Sequence, residues 1–220
     1  MRRGRVAVFC GGRAATDDSF RQVAYDFGLA LADSGAGLVY GAGGGVMAAV
    51  ADGVRAGGAD AIGVIPGHLY EREGKRDLPG EIFIVRSMHE RKALMYRLSI
   101  GFAVLPGGFG TIDEMMEVAT WSQLGLHAKP LVVLNHIGYF DAILAFLDRA
   151  VSDGFLSCED RRIVQSVKSI DEALGRLFTM PECSATPRDG ARSVDEQGTI
   201  VPSSFGRRVE LPRRGATRAS

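Results

Sequence analysis

The chain has 220 residues, 46% of them hydrophobic, enough for one large domain, or a domain with a tail, around a substantial core. Lysine plus arginine equals aspartate plus glutamate at 26 each, so no overall basic field exists to hold nucleic acid or an anionic membrane. Three cysteines, Cys10, Cys158 and Cys183, lack the paired spacing of a metal site or disulfide framework and fit a reducing compartment. The basic start leads into a short strand-like run ending in Cys-Gly-Gly rather than a signal-peptide core. No apolar run approaches the ~18 residues that span a bilayer, and a cytoplasmic protein is expected.

Along the chain, short β-rich runs alternate with amphipathic helical stretches. Strands are expected over 6–10, 37–40, 61–65, 82–85, 102–105 and 131–134, and helices over 18–33, 46–56, 89–99, 112–123, 140–152 and 170–178. Such alternation predicts an α/β fold, a Rossmann-like doubly wound parallel sheet of about six or seven strands with helices on both faces. The domain is expected over 1–180. From 181 to 220 the chain is rich in Arg, Ser, Gly and Pro, with too few apolar residues to offset ordering entropy, and is expected to be mostly disordered.

Open α/β sheets bind ligands beyond the carboxyl ends of their strands. Three glycine turns fall at such ends: Cys10-Gly11-Gly12-Arg13, the run Gly41-Ala42-Gly43-Gly44-Gly45, and Pro106-Gly107-Gly108-Phe109-Gly110-Thr111. No clean dinucleotide fingerprint follows the first strand and no ribose-binding acid ends the second, so a dinucleotide site is disfavoured. Three turns on one edge point to a mononucleotide or sugar phosphate.

The third turn is the most informative. Free N–H groups at a helix start, with the macrodipole behind them, attract phosphate, and glycines let a ligand approach the main chain. Asp113 and Glu114 follow at once. Spacing leaves two readings of them: chemistry on a phosphorylated substrate, or a capping box in which Glu114 ties back to an N-cap Thr111. A fourth element, Ser87-Met88-His89-Glu90-Arg91-Lys92, opens another helix. Ser87 and Glu90 form a second capping box, with Glu90 structural. Arg91 and Lys92 are cations in a first turn, where the dipole disfavours them, so an anion or acidic partner is implied. His89 has no nucleophile or second His in its neighbourhood and is read as structural.

At these residues the sequence resembles the Lonely-Guy family of cytokinin riboside 5′-monophosphate phosphoribohydrolases, often mislabelled as lysine decarboxylases. The family's P-G-G-x-G-T-x-x-E signature is complete over 106–114, and its M-H-x-R-K element appears over 88–92. Val8-Phe9-Cys10-Gly11, Leu38-Val39-Tyr40-Gly41, Gly63-Val64-Ile65-Pro66, the run 120–127, Leu134-Asn135 and Gly138-Tyr139 agree as well. Two departures stand out. The second glycine turn is one residue shorter than the family's, and Gly12-Arg13 replaces small hydroxylated residues, so that Arg13 either adds an anion contact or faces water.

The resemblance implies hydrolysis of the N-glycosidic bond of a nucleoside 5′-monophosphate to free base and ribose 5-phosphate. By position, Glu114 and Arg91 are the catalytic pair. Gly43, Gly44, Gly45, Gly107, Gly108, Gly110 and Thr111 fall on the phosphate and sugar side, and Lys92, Asp113, Thr120 and, more loosely, Glu73 on substrate-contact positions. No cofactor or metal is implied, and a homodimer with sites near the subunit interface is. Two rivals remain: a broader nucleotide 5′-monophosphate nucleosidase acting on AMP and others, and a non-catalytic nucleotide or cofactor carrier on the same scaffold. A pyridoxal-dependent decarboxylase finds no support, since no lysine is marked out for a Schiff base.

Overall fold

The computed structural model describes residues 3–73 and 78–179, the side chains of 72 and 73 excepted, and beyond them only the backbone of 192–194 and 200–202. Contacts divide the chain into two units, Met1–Ser184 and Ala185–Ser220. In the first, strands and helices alternate: β1 (Arg3–Phe9), α1 (Ser19–Asp33), β2 (Ala36–Tyr40), α2 (Gly45–Ala56), β3 (Ala61–Pro66), α3 (Gly67–Glu73), β4 (Glu81–Val85), α4 (Met88–Leu98), β5 (Ser99–Val104), α5 (Phe109–Gln123) and β6 (Leu131–Leu134). A 3₁₀ turn over His136–Gly138 then leads to α6 (Asp141–Ser152), α7 (Cys158–Arg161), β7 (Val164–Val167) and α8 (Ile170–Phe178).

The seven strands form one parallel sheet in the order β4-β3-β2-β1-β5-β6-β7. Every residue of β2 and β3 is buried, as expected of inner strands covered by helices on both sides. Alternate residues of β1 serve opposite faces. Val6 and Val8 join Leu38, Tyr40 and Leu105 beneath Phe27 and Leu31 of α1, Val50 and Val54 of α2 and Leu177 of α8. Ala7 and Phe9 join Val39, Phe102 and Val104 beneath Met95 of α4, Met115 and Val118 of α5 and Leu147 of α6. Each large apolar side chain fully buried in this way contributes roughly 1.5–3 kcal/mol.

The doubly wound fold expected from the sequence is present, with three additions. A seventh strand was allowed for but not located: β7, Val-Gln-Ser-Val, is four residues long with a polar centre and sits at the sheet edge, where only its two valines are buried. Helices α3 and α7 were likewise missed, being seven and four residues long. Helix α4 stops at Leu98, and Ser99 is already extended at φ −108° and ψ 150°, so β5 begins three residues before the expected 102.

In the second unit the backbone of β8 (Arg192–Val194) and β9 (Ile200–Pro202) pairs antiparallel. The expectation of disorder over 181–220 otherwise lies outside the described residues. No helix among the described residues is long and apolar enough to cross a membrane.

The order of strands reverses beside β1. The chain runs outward from β1 through β2 to β4, then returns to place β5 on the other side of β1. The connections leaving β1 and β5 therefore diverge to opposite faces, which opens a crevice at their carboxyl ends.

Candidate active site

At that crevice the turns after β1 and β5 touch main chain to main chain. The Gly11 N–H donates to the Pro106 carbonyl at 3.0 Å, and the Gly11 carbonyl accepts from Met47 N–H at 3.0 Å. A Cβ on Gly107 would lie 2.6 Å from the Gly11 nitrogen and would collide with the Thr111 hydroxyl, so the approach requires glycine there. A cavity of about 710 Å³ opens between these turns, bounded also by Gly41 and Gly43 after β2, Arg91 of α4 and Tyr139 after β6. A second hollow of about 870 Å³ lies along β6, β7 and α8 and touches none of the glycine turns.

Helix α5 starts at Phe109, three residues before the expected 112, and is capped by Gly108 with no side-chain hydrogen bond. Thr111 is thus inside the first turn rather than at the N-cap, and no acidic residue lies in that turn. The capping reading of Glu114 is overturned. Its side chain cannot reach back as a box partner from the second turn; it points inward and is 6% exposed. Nothing on the side chains competes for the first N–H groups of α5, which remain open toward an anion. Gly107, Gly108, Gly110, Thr111, Asp113 and Glu114 all border the cavity.

Arg91 meets Glu114 at the cavity, with Nη2 3.8 Å from Oε1. Both are buried, Arg91 at 8% exposure. The guanidinium lies directly over Gly41, whose Cβ, if present, would overlap Nη2. Nε of Arg91 is buried without a protein partner, and Nη1 has only the Met88 sulfur at 3.9 Å. A buried, under-satisfied guanidinium facing a cavity is a donor set waiting for an oxygen-bearing ligand.

Burial raises the Glu114 carboxyl, and Asp113 and Glu117 add to this, while Arg91 and Lys92 oppose it; the net position is about 7. Desolvation dominates, since the cation is nearly 4 Å away and makes no tight pair. A carboxyl poised near neutrality next to an open crevice is suited to take or give a proton. Cys10 is buried in the same cavity. Burial, then the nearby Glu114 charge, hold its thiol far above the usual range, so it serves as an apolar wall.

The other expected site residues divide. The implied acidic partner of the α4 cations is α5 itself: Lys92 Nζ pairs with Asp113 Oδ2 at 3.2 Å and Glu117 Oε1 at 3.0 Å. Lys92 does not border the cavity. Burial works against its charge, yet the two carboxylates hold its pKa above normal. Thr120 is exposed and donates to the Met116 carbonyl of its own helix at 2.8 Å, away from the cavity. Gly43 borders the cavity, whereas Gly44 caps α2 and Gly45, at φ +58°, packs under the Arg13 carbonyl. The shortened turn is closed by two left-handed residues, Ala42 at φ +53° and Gly45. Arg13 is exposed at the cavity rim. The side chain of Glu73 lies outside the described residues.

Sequence reasoning assigned no role to Cys10, Gly41 or Tyr139. Gly41 was hidden inside a glycine run whose other members drew attention, and Tyr139 belonged to a resembling segment without a motif. The second capping box is present in displaced form: Ser87 Oγ accepts from Glu90 N–H at 3.1 Å, and Glu90 Oε2 accepts from Arg86 N–H at 2.6 Å. Among the described residues, no three His, Cys, Asp or Glu side chains gather where they could hold a metal ion.

A family model described as "possible lysine decarboxylase" matches residues 47–177. The chain is 42% identical over 181 residues to the cytokinin riboside 5′-monophosphate phosphoribohydrolase LOG4 of Arabidopsis thaliana, covering 82% of this chain and 84% of that one. It is 45% identical over 174 residues to the probable cytokinin riboside 5′-monophosphate phosphoribohydrolase LOGL9 of Oryza sativa subsp. japonica, covering 79% and 77%. The solved structure of the Moco carrier protein from Chlamydomonas reinhardtii superimposes with a TM-score of 0.59 at 21% identity, over 79% of this chain and 94% of that one, which shows a shared fold. With a matched family model over more than half its length and relatives this similar, the chain belongs to the Lonely-Guy family of cytokinin riboside 5′-monophosphate phosphoribohydrolases.

Proposed function

We propose that the protein hydrolyses the N-glycosidic bond of an N6-substituted adenosine 5′-monophosphate, releasing the free base and ribose 5-phosphate. The observation that carries this reading is the buried Glu114 carboxyl, opposed by Arg91, in the same cavity as the open first turn of α5. The named activity of the relatives LOG4 and LOGL9 supports it.

Phosphate binds at the N–H groups of Gly108 to Thr111, where the helix dipole favours anions. Anchoring the far end of the nucleotide fixes the anomeric carbon relative to Glu114, so binding energy remote from the reacting bond goes into orientation. Cleavage builds positive charge on the ribose and negative charge on the departing base. The ionised Glu114 stabilises that cation and takes a proton from the attacking water; the water oxygen bonds to C1′ as the C1′–N bond breaks, and that proton then passes to the departing base nitrogen, returning Glu114 to its ionised form. Arg91 keeps enough of Glu114 ionised and offers its unpartnered Nε to substrate oxygen.

The protein acts as a cytoplasmic homodimer in this reading. The free Cys10 and Cys158 favour the compartment. The exposed Met88 and Phe109 at the cavity, with Leu124 and Leu126 at the end of α5, offer apolar surface for a second copy. The activity is tested by incubating the protein with AMP, GMP, CMP and isopentenyl-AMP and separating the products. Base and ribose 5-phosphate in equal amounts, fastest from isopentenyl-AMP, are expected. Equal rates from AMP, GMP and CMP would mark a broad nucleosidase, and binding without any base release would mark a carrier.

A further inference from the structure

The phosphate site proposed above is built from glycines, and glycine backbone is free to rotate unless something holds it. Gly107 is pinned on one side by its contact with Gly11. Gly108 is held on its far side, where its carbonyl accepts from Ile112 N–H at 3.1 Å, but no atom lies within 4 Å of where its Cβ would be. The peptide joining them is held instead by Tyr139, whose hydroxyl donates to the Gly107 carbonyl at 2.7 Å. In a trans peptide the C=O and the following N–H point in opposite directions. Holding the Gly107 oxygen therefore sets the direction of the Gly108 N–H, which donates to no protein acceptor among the described residues.

Tyr139 is itself fixed with unusual thoroughness for a side chain that is 44% exposed. Its ring stands edge-on to Phe20 at 5.3 Å and to Phe140 at 5.0 Å. The loop beneath it is tied by the buried Asn135, which accepts from Phe140 N–H at 2.8 Å and donates to Asp141 Oδ1 at 2.7 Å. Within that loop Ile137 adopts φ +48° and ψ +27°. A left-handed conformation is a true outlier for a β-branched residue and persists only where the surroundings over-determine it. Ile137 is 68% exposed, so its own burial does not compensate. The strain is accepted in a loop that hydrogen-bonds the glycine turn through the Tyr139 hydroxyl.

From this geometry we infer that Tyr139 is a positioning residue for the substrate's phosphate, holding the Gly107–Gly108 peptide so that the Gly108 N–H faces the anion before it arrives. The inference rests on the phosphate-binding part of the reading above, not on the hydrolysis. Tyr139 touches no reacting atom; its effect is carried by the turn.

The test is calorimetric titration of ribose 5-phosphate into the full-length wild type and Tyr139→Phe, which keeps the ring and removes the hydroxyl. The loss of one positioning hydrogen bond should weaken binding about threefold to tenfold. In turnover assays KM for the nucleotide should rise by the same factor with kcat within about twofold, and the affinity for adenosine, which lacks the phosphate, should not change. Should Tyr139→Phe be poorly folded, Ile137→Gly loosens the loop while leaving the phenol in place: ribose 5-phosphate binding should weaken while the melting temperature holds or rises. Unchanged ribose 5-phosphate affinity in the folded variants, or no binding by the wild type, overturns the inference. A wild type that binds ribose 5-phosphate but releases no base sinks the hydrolase reading alone.

Discussion

Glu114 is a carboxyl placed where water cannot stabilise its charge and where a single cation stands nearly 4 Å off. Its folded-state pKa of about 7 exceeds the ordinary 4.5. The folded protein therefore binds the extra proton more tightly than the unfolded chain. The stabilising effect is complete below about pH 4.5 and is lost as pH rises through 7, amounting to roughly 3 kcal/mol across that window. Denaturant melts at pH 5 and pH 8 should show the wild type losing stability at the higher pH, and Glu114→Gln losing markedly less. Equal losses in the two proteins would mean that the carboxyl is not desolvated. Arg91 opposes the upward shift, so Arg91→Ala should move the acidic limb of the kcat profile to higher pH as well as lower its plateau. A raised KM with an unmoved profile would make Arg91 a binding residue only. At this scale the sequence named both residues through their motifs. Their pairing came from the family resemblance and not from the local pattern, because it depends on where α5 begins: a shift of three residues along a helix turns a side chain through most of a turn.

The helices α4 and α5 act as a unit, joined by Lys92 reaching Asp113 and Glu117. The sequence signalled that the cations of α4 needed an acidic partner, and the partner is the next helix rather than a ligand. The start of α5 was misjudged because Thr111 and Glu114 fit a capping box, whereas a glycine N-cap such as Gly108 leaves no comparable mark. Lys92→Gln removes a positive charge beside two carboxylates and raises the local negative potential on Glu114, so it should shift the same kcat profile upward in pH by a smaller step than Arg91→Ala, without abolishing turnover. Gly41→Ala is the sharper test of how β2 and α4 fit together. Its methyl would occupy the space of the Arg91 guanidinium, and a large loss of kcat with a native far-ultraviolet circular dichroism spectrum is expected. Wild-type activity in that variant would show that Arg91 can be repositioned without consequence.

For the whole molecule, the candidate site follows from one topological fact: β1 and β5 are neighbours although three strands, β2 to β4, lie between them in the chain. Alternating strands and helices made the doubly wound class legible, and the three glycine turns marked the edge where the cavity opens. The edge strand β7 was hidden by its brevity and polar centre, and the neighbour relation of the turns is a property of strand order, which local pattern does not encode. All described residues that border the cavity lie in the first unit, Met1–Ser184. Ending the chain after Ser184 should accordingly leave melting temperature and kcat unchanged, and a loss of turnover would assign 185–220 a part in the site. The most direct test is the rate of base release from a nucleoside 5′-monophosphate by wild type and Glu114→Gln from pH 5 to pH 9. The wild-type kcat should rise through about pH 7 to a plateau, and the Gln variant should lie at least ~10²-fold lower with no such rise. A Gln variant that releases base at near wild-type rate, with the same dependence on pH, would contradict the assignment of Glu114 to the chemistry.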